Sequence, residues 1–233
     1  MTTVTVSEGK TAEIKASLKK GTTSSSTKSS KKLADYIDSA RKGDASAQFE
    51  AGYCYYYGLG TPVNYTEAVY WYRKAVDQNH IIALNNLGLC YELGKGVSKN
   101  YYEALKYYRK SADLGNSVAQ CNLGLCYEFG RGVTKDVYEA VKWYRKSAEN
   151  GNDRGQYRLG RCYENAIGVS KNDSEALKWY RKSAENGNID AMNSLGCYYY
   201  NGTVVARDYN EAFRWFKKSA DAGHELVVDL PEI

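Results

Sequence analysis

Apolar residues recur along this chain at helical spacing, and the whole pattern returns every 36 residues. Ala83, Leu87, Gly88 and Tyr91 stand at i, i+4, i+5 and i+8, one stripe of a helix. Ala140, Trp143, Tyr144 and Ala148 form a second stripe, in which small residues alternate with large rings. Compared with itself at an offset of 36, the chain aligns Gly52, Gly88, Gly124, Gly160 and Gly196 without an insertion. Ala68, Ala104, Ala140, Ala176 and Ala212 align likewise, as do Tyr72, Tyr108, Tyr144, Tyr180 and Phe216. Tyr36 and Leu33 carry the register back by half a unit.

Each unit therefore predicts two helices. A pair such as Gly94 and Gly96, or Gly130 and Gly132, ends the first, because glycine enters the left-handed C-cap conformation without steric penalty. Asn64, Asn100, Asp136, Asn172 and Asp208 start the second, each followed three residues later by Glu67, Glu103, Glu139, Glu175 or Glu211. This is close to a capping box, in which the glutamate reaches back to the cap's own N–H, worth about 1 kcal/mol per helix. Ala166 and Val204 replace loop glycines, and Gly155 stands where other units have alanine, so deviations from the common loop shape are expected there. One helix pair cannot bury its stripe alone, but stacked pairs share a continuous core, which makes a solenoid. The units run near 47–82, 83–118, 119–154, 155–190 and 191–226, after a half repeat that begins at residue 33.

The run Ala119-Gln-Cys-Asn-Leu-Gly-Leu-Cys-Tyr127, then Gly130-Arg-Gly-Val133, then Glu139-Ala-Val-Lys-Trp-Tyr-Arg-Lys-Ser-Ala148 resembles the Sel-1-like repeat (SLR) family, relatives of the tetratricopeptide repeat. The resemblance covers residues 33 to about 226 and implies an all-α fold, a right-handed α/α superhelix (solenoid) of about five 36-residue helix-turn-helix repeats plus an N-terminal half repeat.

Composition changes this picture at the ends. The formal charge of +5 sits wholly in residues 1–32, where seven lysines face only Glu8 and Glu13, around the run Gly21 to Thr27. That stretch cannot bury enough apolar surface to offset its ordering entropy and reads as a disordered basic tail. Residues 227–233 read as a short C-terminal tail, with Leu226, Val227, Val228 and Leu230 starting in phase with a sixth unit and Pro231 ending it. No apolar run approaches the roughly 18 residues of a membrane span, so no membrane insertion is expected, and without a signal-like segment cytoplasmic residence is the expectation.

Catalytic chemistry finds little footing. His80 and His224 stand where other repeats carry asparagine, so a polar cap is the expected role of His80. The glycine loops match no phosphate-cradling motif. Cys54, Cys90, Cys126 and Cys162 form a ladder on first helices about 8 to 10 Å apart, too far for disulfides. Cys121 and Cys126 point to different faces, and Cys197 is one place out of register. No spacing suits zinc, and neither a metal nor a cofactor is expected. The paired cysteines of the family's bacterial cysteine-rich branch, with its proposed beta-lactam-binding hydrolase activity, are absent, which leaves that function as an alternative with little support. Arg109, Arg145 and Arg181 each precede an acid by four residues, at Asp113, Glu149 and Glu185, so a self-compensated surface is expected rather than a nucleic-acid stripe.

What the resemblance implies instead is a non-enzymatic scaffold or adaptor that binds a protein or peptide on the concave face lined by first helices. Matching each unit's Leu-Gly places Phe49, Tyr53, Tyr56, Asn85, Asn86, Leu89, Glu92, Asn122, Leu125, Glu128, Arg158 and Arg161 on that face, with Val118, Phe129 and Arg154 beside them. Apolar anchors followed by arginines suit a peptide with an acidic end. A regulatory subunit of a larger assembly, self-associating through the C-terminal face, is the other alternative.

Overall fold

The computed structural model describes residues 33–223; the two tails, His224 and the start of a sixth unit lie outside the described residues. Among the described residues the chain is helical throughout, with no strand. Helix α1 covers residues 33–41. Five helix pairs follow: α2 (Ala45–Tyr57) and α3 (Tyr65–Asp77), α4 (Ile81–Leu93) and α5 (Tyr101–Asp113), α6 (Ser117–Phe129) and α7 (Val137–Glu149), α8 (Asp153–Glu164) and α9 (Asp173–Glu185), α10 (Ile189–Asn201) and α11 (Tyr209–Asp221).

The caps show why these helices start where they do. At the first helices Asp44, Asn116, Asn152 and Asn188 accept from the N–H of Ala47, Ala119, Gly155 and Ala191, and His80 Nδ1 does the same for Ala83 at 3.2 Å. At the second helices Asn64, Asn100, Asp136, Asn172 and Asp208 accept from the N–H of the glutamate three residues on. The other half of the expected capping box does not form. Each cap's own N–H donates to a tyrosine carbonyl of the preceding helix, Tyr55, Tyr91, Tyr127, Tyr163 or Tyr199, at 2.9 to 3.0 Å. With that donor already satisfied, Glu103, Glu139, Glu175 and Glu211 turn outward to Lys106, Lys142, Lys178 and Arg214 at i+3.

The loops keep their turn where the glycines are missing. Gly94, Gly130 and Gly202 cap first helices at φ +70°, +68° and +70°, and Ala166 and Val204 hold positive φ of +54° and +66°. At Ala166 the adjustment is confined to α8, which ends one residue earlier, with the Asn165 side-chain amide donating to the Arg161 carbonyl. The second loop glycine lies against backbone: a β-carbon at Gly132 would stand 2.3 Å from the Tyr101 carbonyl oxygen.

Contacts divide the described residues into two units, the first running from α1 through Ala83 and taking in residues 93–98, the second with residues 84–92 and the described residues from Lys99 onward. In the first, Ala40, Ala47, Ala51 and Trp71 form the core, and Tyr36 and Ile37 of α1 pack against it as half a repeat. In the second, successive helix pairs stack, and Tyr108, Tyr144 and Tyr180 are fully buried between them. Each buried ring removes on the order of 150 to 250 Å2 from water, which makes the tyrosines the main apolar filling.

Candidate functional site

Helices α2, α4, α6, α8 and α10 carry the residues expected to meet a partner. In the first unit Phe49 stacks on His80, centroids 4.9 Å apart, and Tyr53 lies partly exposed beside Tyr57. Tyr56 is buried, edge-on to Tyr65, so it packs the helix pair instead of facing outward.

In the second unit the structure sorts the expected residues into two sets. Asn85, Asn122 and Glu128 are buried, and their polar groups are used inside the chain. Asn122 Nδ2 donates to Asn85 Oδ1 at 3.0 Å, tying α6 to α4, and Asn85 Nδ2 donates to Asn86 Oδ1 at 3.2 Å. Glu128 accepts the Tyr144 hydroxyl at 2.5 Å. Glu92, partly buried, accepts the Tyr108 hydroxyl at 2.6 Å and pairs with Arg131 at 2.7 Å. These groups hold repeats together; a peptide would have to displace those bonds to reach them. Leu89 and Leu125 are half-buried, and Leu125 packs against the core around Tyr144.

Left accessible is a patch on α6 and α8. Val118 and Phe129 expose 39% and 52% of their surface, enough for apolar anchors. Arg154, exposed, and Arg158 and Arg161, half-buried, lie at i, i+4 and i+7 of α8 and share one face. None of the three makes an ion pair or hydrogen bond among the described residues, unlike Arg131.

The arginines of the second helices are engaged, though not with the acids their spacing suggested. Arg109 donates to the hydroxyl of Tyr127, Arg145 to Tyr163 at 2.7 Å and Arg181 to Tyr199 at 3.1 Å, each lying over the next first helix. Lys146, Lys182 and Lys218 cover the rings of Trp143, Trp179 and Trp215. The hydroxyl and ring on the next helix lie within reach, while the carboxylate one turn away is exposed and an ion pair to it in water is worth little.

All six cysteines are thiols. Burial pushes Cys121 up to about 11 and Cys126 and Cys162 up to about 12, far from the thiolate that nucleophilic chemistry needs. Cys121 and Cys126 belong to different core clusters, as their opposite faces imply. Burial also holds His80 below its usual value, consistent with a neutral ring accepting at Nδ1.

The pairing of Tyr108, Tyr144 and Tyr180 with Glu92, Glu128 and Glu164 is the feature that sequence reasoning missed. Its signal was present: the three glutamates form a 36-residue ladder, each 16 residues before its tyrosine.

Comparison with known proteins follows the same register. A Sel1 repeat model matches residues 45–80, 81–116, 117–152, 153–188 and 189–224. A Sel1 repeat protein from Oxalobacter formigenes is 39% identical with a TM-score of 0.77, over 80% of this chain and 75% of that one. The protective antigen c5321 of uropathogenic Escherichia coli strains, which displays an SLR fold, is 40% identical with a TM-score of 0.74, over 82% of this chain and 41% of that one. This chain thus spans less than half of that antigen. The immunity protein Pa5087 from Pseudomonas aeruginosa is 25% identical with a TM-score of 0.57, over 77% of this chain and 66% of that one. No curated protein matches. Five consecutive repeat matches, on helix pairs that share one capping and packing scheme, establish that the chain belongs to the Sel1 repeat family.

Proposed function

We propose that this chain is a non-enzymatic adaptor that binds an acidic peptide or loop of another protein on the face of α6 and α8. Sel1 repeat proteins are generally scaffolds for protein interaction. The observation that carries the finer reading is the set of three arginines, Arg154, Arg158 and Arg161, without an internal partner beside exposed Val118 and Phe129. Arginine grips carboxylates bidentately, and apolar anchors supply affinity, so a segment with an aliphatic or aromatic residue ahead of two or three acids fits the patch. The unbridged thiols support residence in a reducing compartment such as the cytoplasm.

Selection of displayed random peptides on the full chain tests the reading. The enriched sequences should share acids next to an apolar residue, and a chain with Arg154→Ala, Arg158→Ala and Arg161→Ala should fail to enrich them. Enrichment of basic or uncharged sequences would contradict it.

A further inference from the structure

One position is filled differently in successive repeats. The first repeat has Leu59 there; in the second, Lys95 Nζ lies 4.8 Å from the ring centroids of both Tyr56 and Tyr65. In the third repeat Arg131, 36 residues later, takes the corresponding place. Its Nη1 is 2.7 Å from Glu92 Oε1, and its guanidinium lies 5.9 Å from the Tyr101 ring and 5.3 Å from the Phe129 ring. The next counterpart, Ile167, packs into the core instead. In the fifth repeat the place falls to Thr203, neutral and too short to reach, and it lines a cavity of about 410 Å3.

Glu164, Asp173 and Asn201 line this cavity as well, and they are the counterparts of Glu92, Tyr101 and Phe129, the three groups around Arg131. The cavity therefore repeats the frame around Arg131, with a second carboxylate where a ring stood, and has no guanidinium of its own at Glu164. Glu164 is fixed by the Tyr180 hydroxyl, which donates to Oε2 at 2.7 Å. Lys171 also lines the cavity and pairs with Asp173 at 3.5 Å with 63% of its side chain exposed; its counterpart Lys99 lies over Tyr101 alongside Arg131, so the two cations share that frame.

An independent observation points the same way. Tyr198 also lines the cavity and is only 4% exposed; its hydroxyl makes no hydrogen bond within 3.5 Å, though it stands close enough to feel the Glu164 carboxylate as an acceptor. An orphaned buried hydroxyl is costly unless something comes to meet it. Burial, the charges of Glu164 and Asp173 and hydrogen bonding toward Glu164 push this phenol up, so it stays a neutral hydroxyl that leans its proton toward Glu164 and leaves its oxygen to accept.

We infer that the cavity bounded by Glu164, Asp173, Tyr198 and Thr203 binds a guanidinium group from outside the chain, in the place that Arg131 occupies beside Glu92. The planar cation offers five N–H donors, enough for Glu164, the Tyr198 oxygen and an amide oxygen of Asn201 together. The cavity lies at the lower end of ordinary ligand-pocket volumes, sized for one side chain or a small molecule.

The test is an amide chemical-shift titration of the full 15N-labelled chain. The probes are ethylguanidinium chloride and, separately, acetyl-Gly-Arg-Gly-amide, each against sodium chloride at equal ionic strength. Saturable shifts at Asn193, Ser194, Asn201 and Thr203 are expected, with a Kd in about the millimolar range. Glu164→Gln should weaken binding at least about tenfold. Thr203→Arg supplies the cation internally, as Arg131 does, and should abolish the shifts with helicity unchanged. Binding of both probes supports the site and assigns it to a partner's arginine; binding of ethylguanidinium alone supports it and assigns a free small cation. No shift with either probe, or the same shifts in Glu164→Gln and Thr203→Arg, overturns the inference.

Discussion

Gly124 and Tyr144 meet so closely that the glycine has no room for a side chain: a β-carbon there would lie 2.6 Å from both Cδ1 and Cε1 of the ring. Tyr144 is fully buried and its hydroxyl is anchored on Glu128, so the ring cannot swing aside. Gly124→Ala is therefore expected to destabilise the fold by about 1 to 3 kcal/mol, despite the better helix propensity of alanine. Urea unfolding followed by circular dichroism checks this, and a more stable variant would show that the ring yields.

The same tyrosine gives a second test. Tyr144→Phe removes the donor to a carboxylate that is only 9% exposed and is expected to cost about 1 to 3 kcal/mol. Adding Glu128→Leu removes the stranded charge and should recover part of the loss, giving a non-additive double-mutant cycle. The chain already holds the natural version of this exchange, since Phe216 takes the tyrosine position in the repeat whose glutamate position is Tyr200. Additive losses would mean that the two groups act separately.

Val204 holds φ +66° with a β-branched side chain that is 53% exposed, so it suffers strain and packs little. Val204→Gly is expected to stabilise by about 1 kcal/mol, because relief of strain exceeds the added freedom of the unfolded chain. A rise in melting temperature is the readout. A fall would show that the exposed valine contributes contacts worth more than its backbone strain.

His80 makes one cap sensitive to acid. Only the neutral ring accepts the Ala83 N–H at Nδ1. Burial lowers its pKa from 6.5, partly opposed by the charges of Glu50 and Asp44, and Phe49 stacks on its face. A base whose folded pKa is depressed contributes stability that is complete above the unfolded value and is lost as pH falls through the lower folded one. Stability should thus decline below about pH 6.5, and His80→Asn, the residue other repeats use, should remove that part of the decline. Equal pH slopes in the two proteins would exclude His80 as the source.

Much of this architecture was legible because it is local and periodic. The 36-residue ladder marked every helix pair, and Asn64 or Asp136 marked the start of a second helix without knowledge of its neighbours. The site was legible only in part. A surface assignment by helical register cannot tell Glu128, buried and bonded to Tyr144, from Arg154, exposed, because the difference depends on a partner 16 residues away in the following helix. Arg145 misled for the same reason: Glu149 is its neighbour in sequence, while Tyr163 is its neighbour across helices. The recess near Glu164 emerged only once Arg131 and Lys95 showed what its counterparts hold.

The central claim is that the arginine face of α8 receives an acidic partner. Calorimetric titration of the best selected acidic peptide into the intact chain and into Arg154→Ala/Arg158→Ala/Arg161→Ala addresses it most directly. The account predicts at least about a tenfold loss of affinity in the triple variant, with helicity retained and with binding to the intact chain weakened by salt. Equal affinity in both proteins would place the partner on another surface and contradict the account.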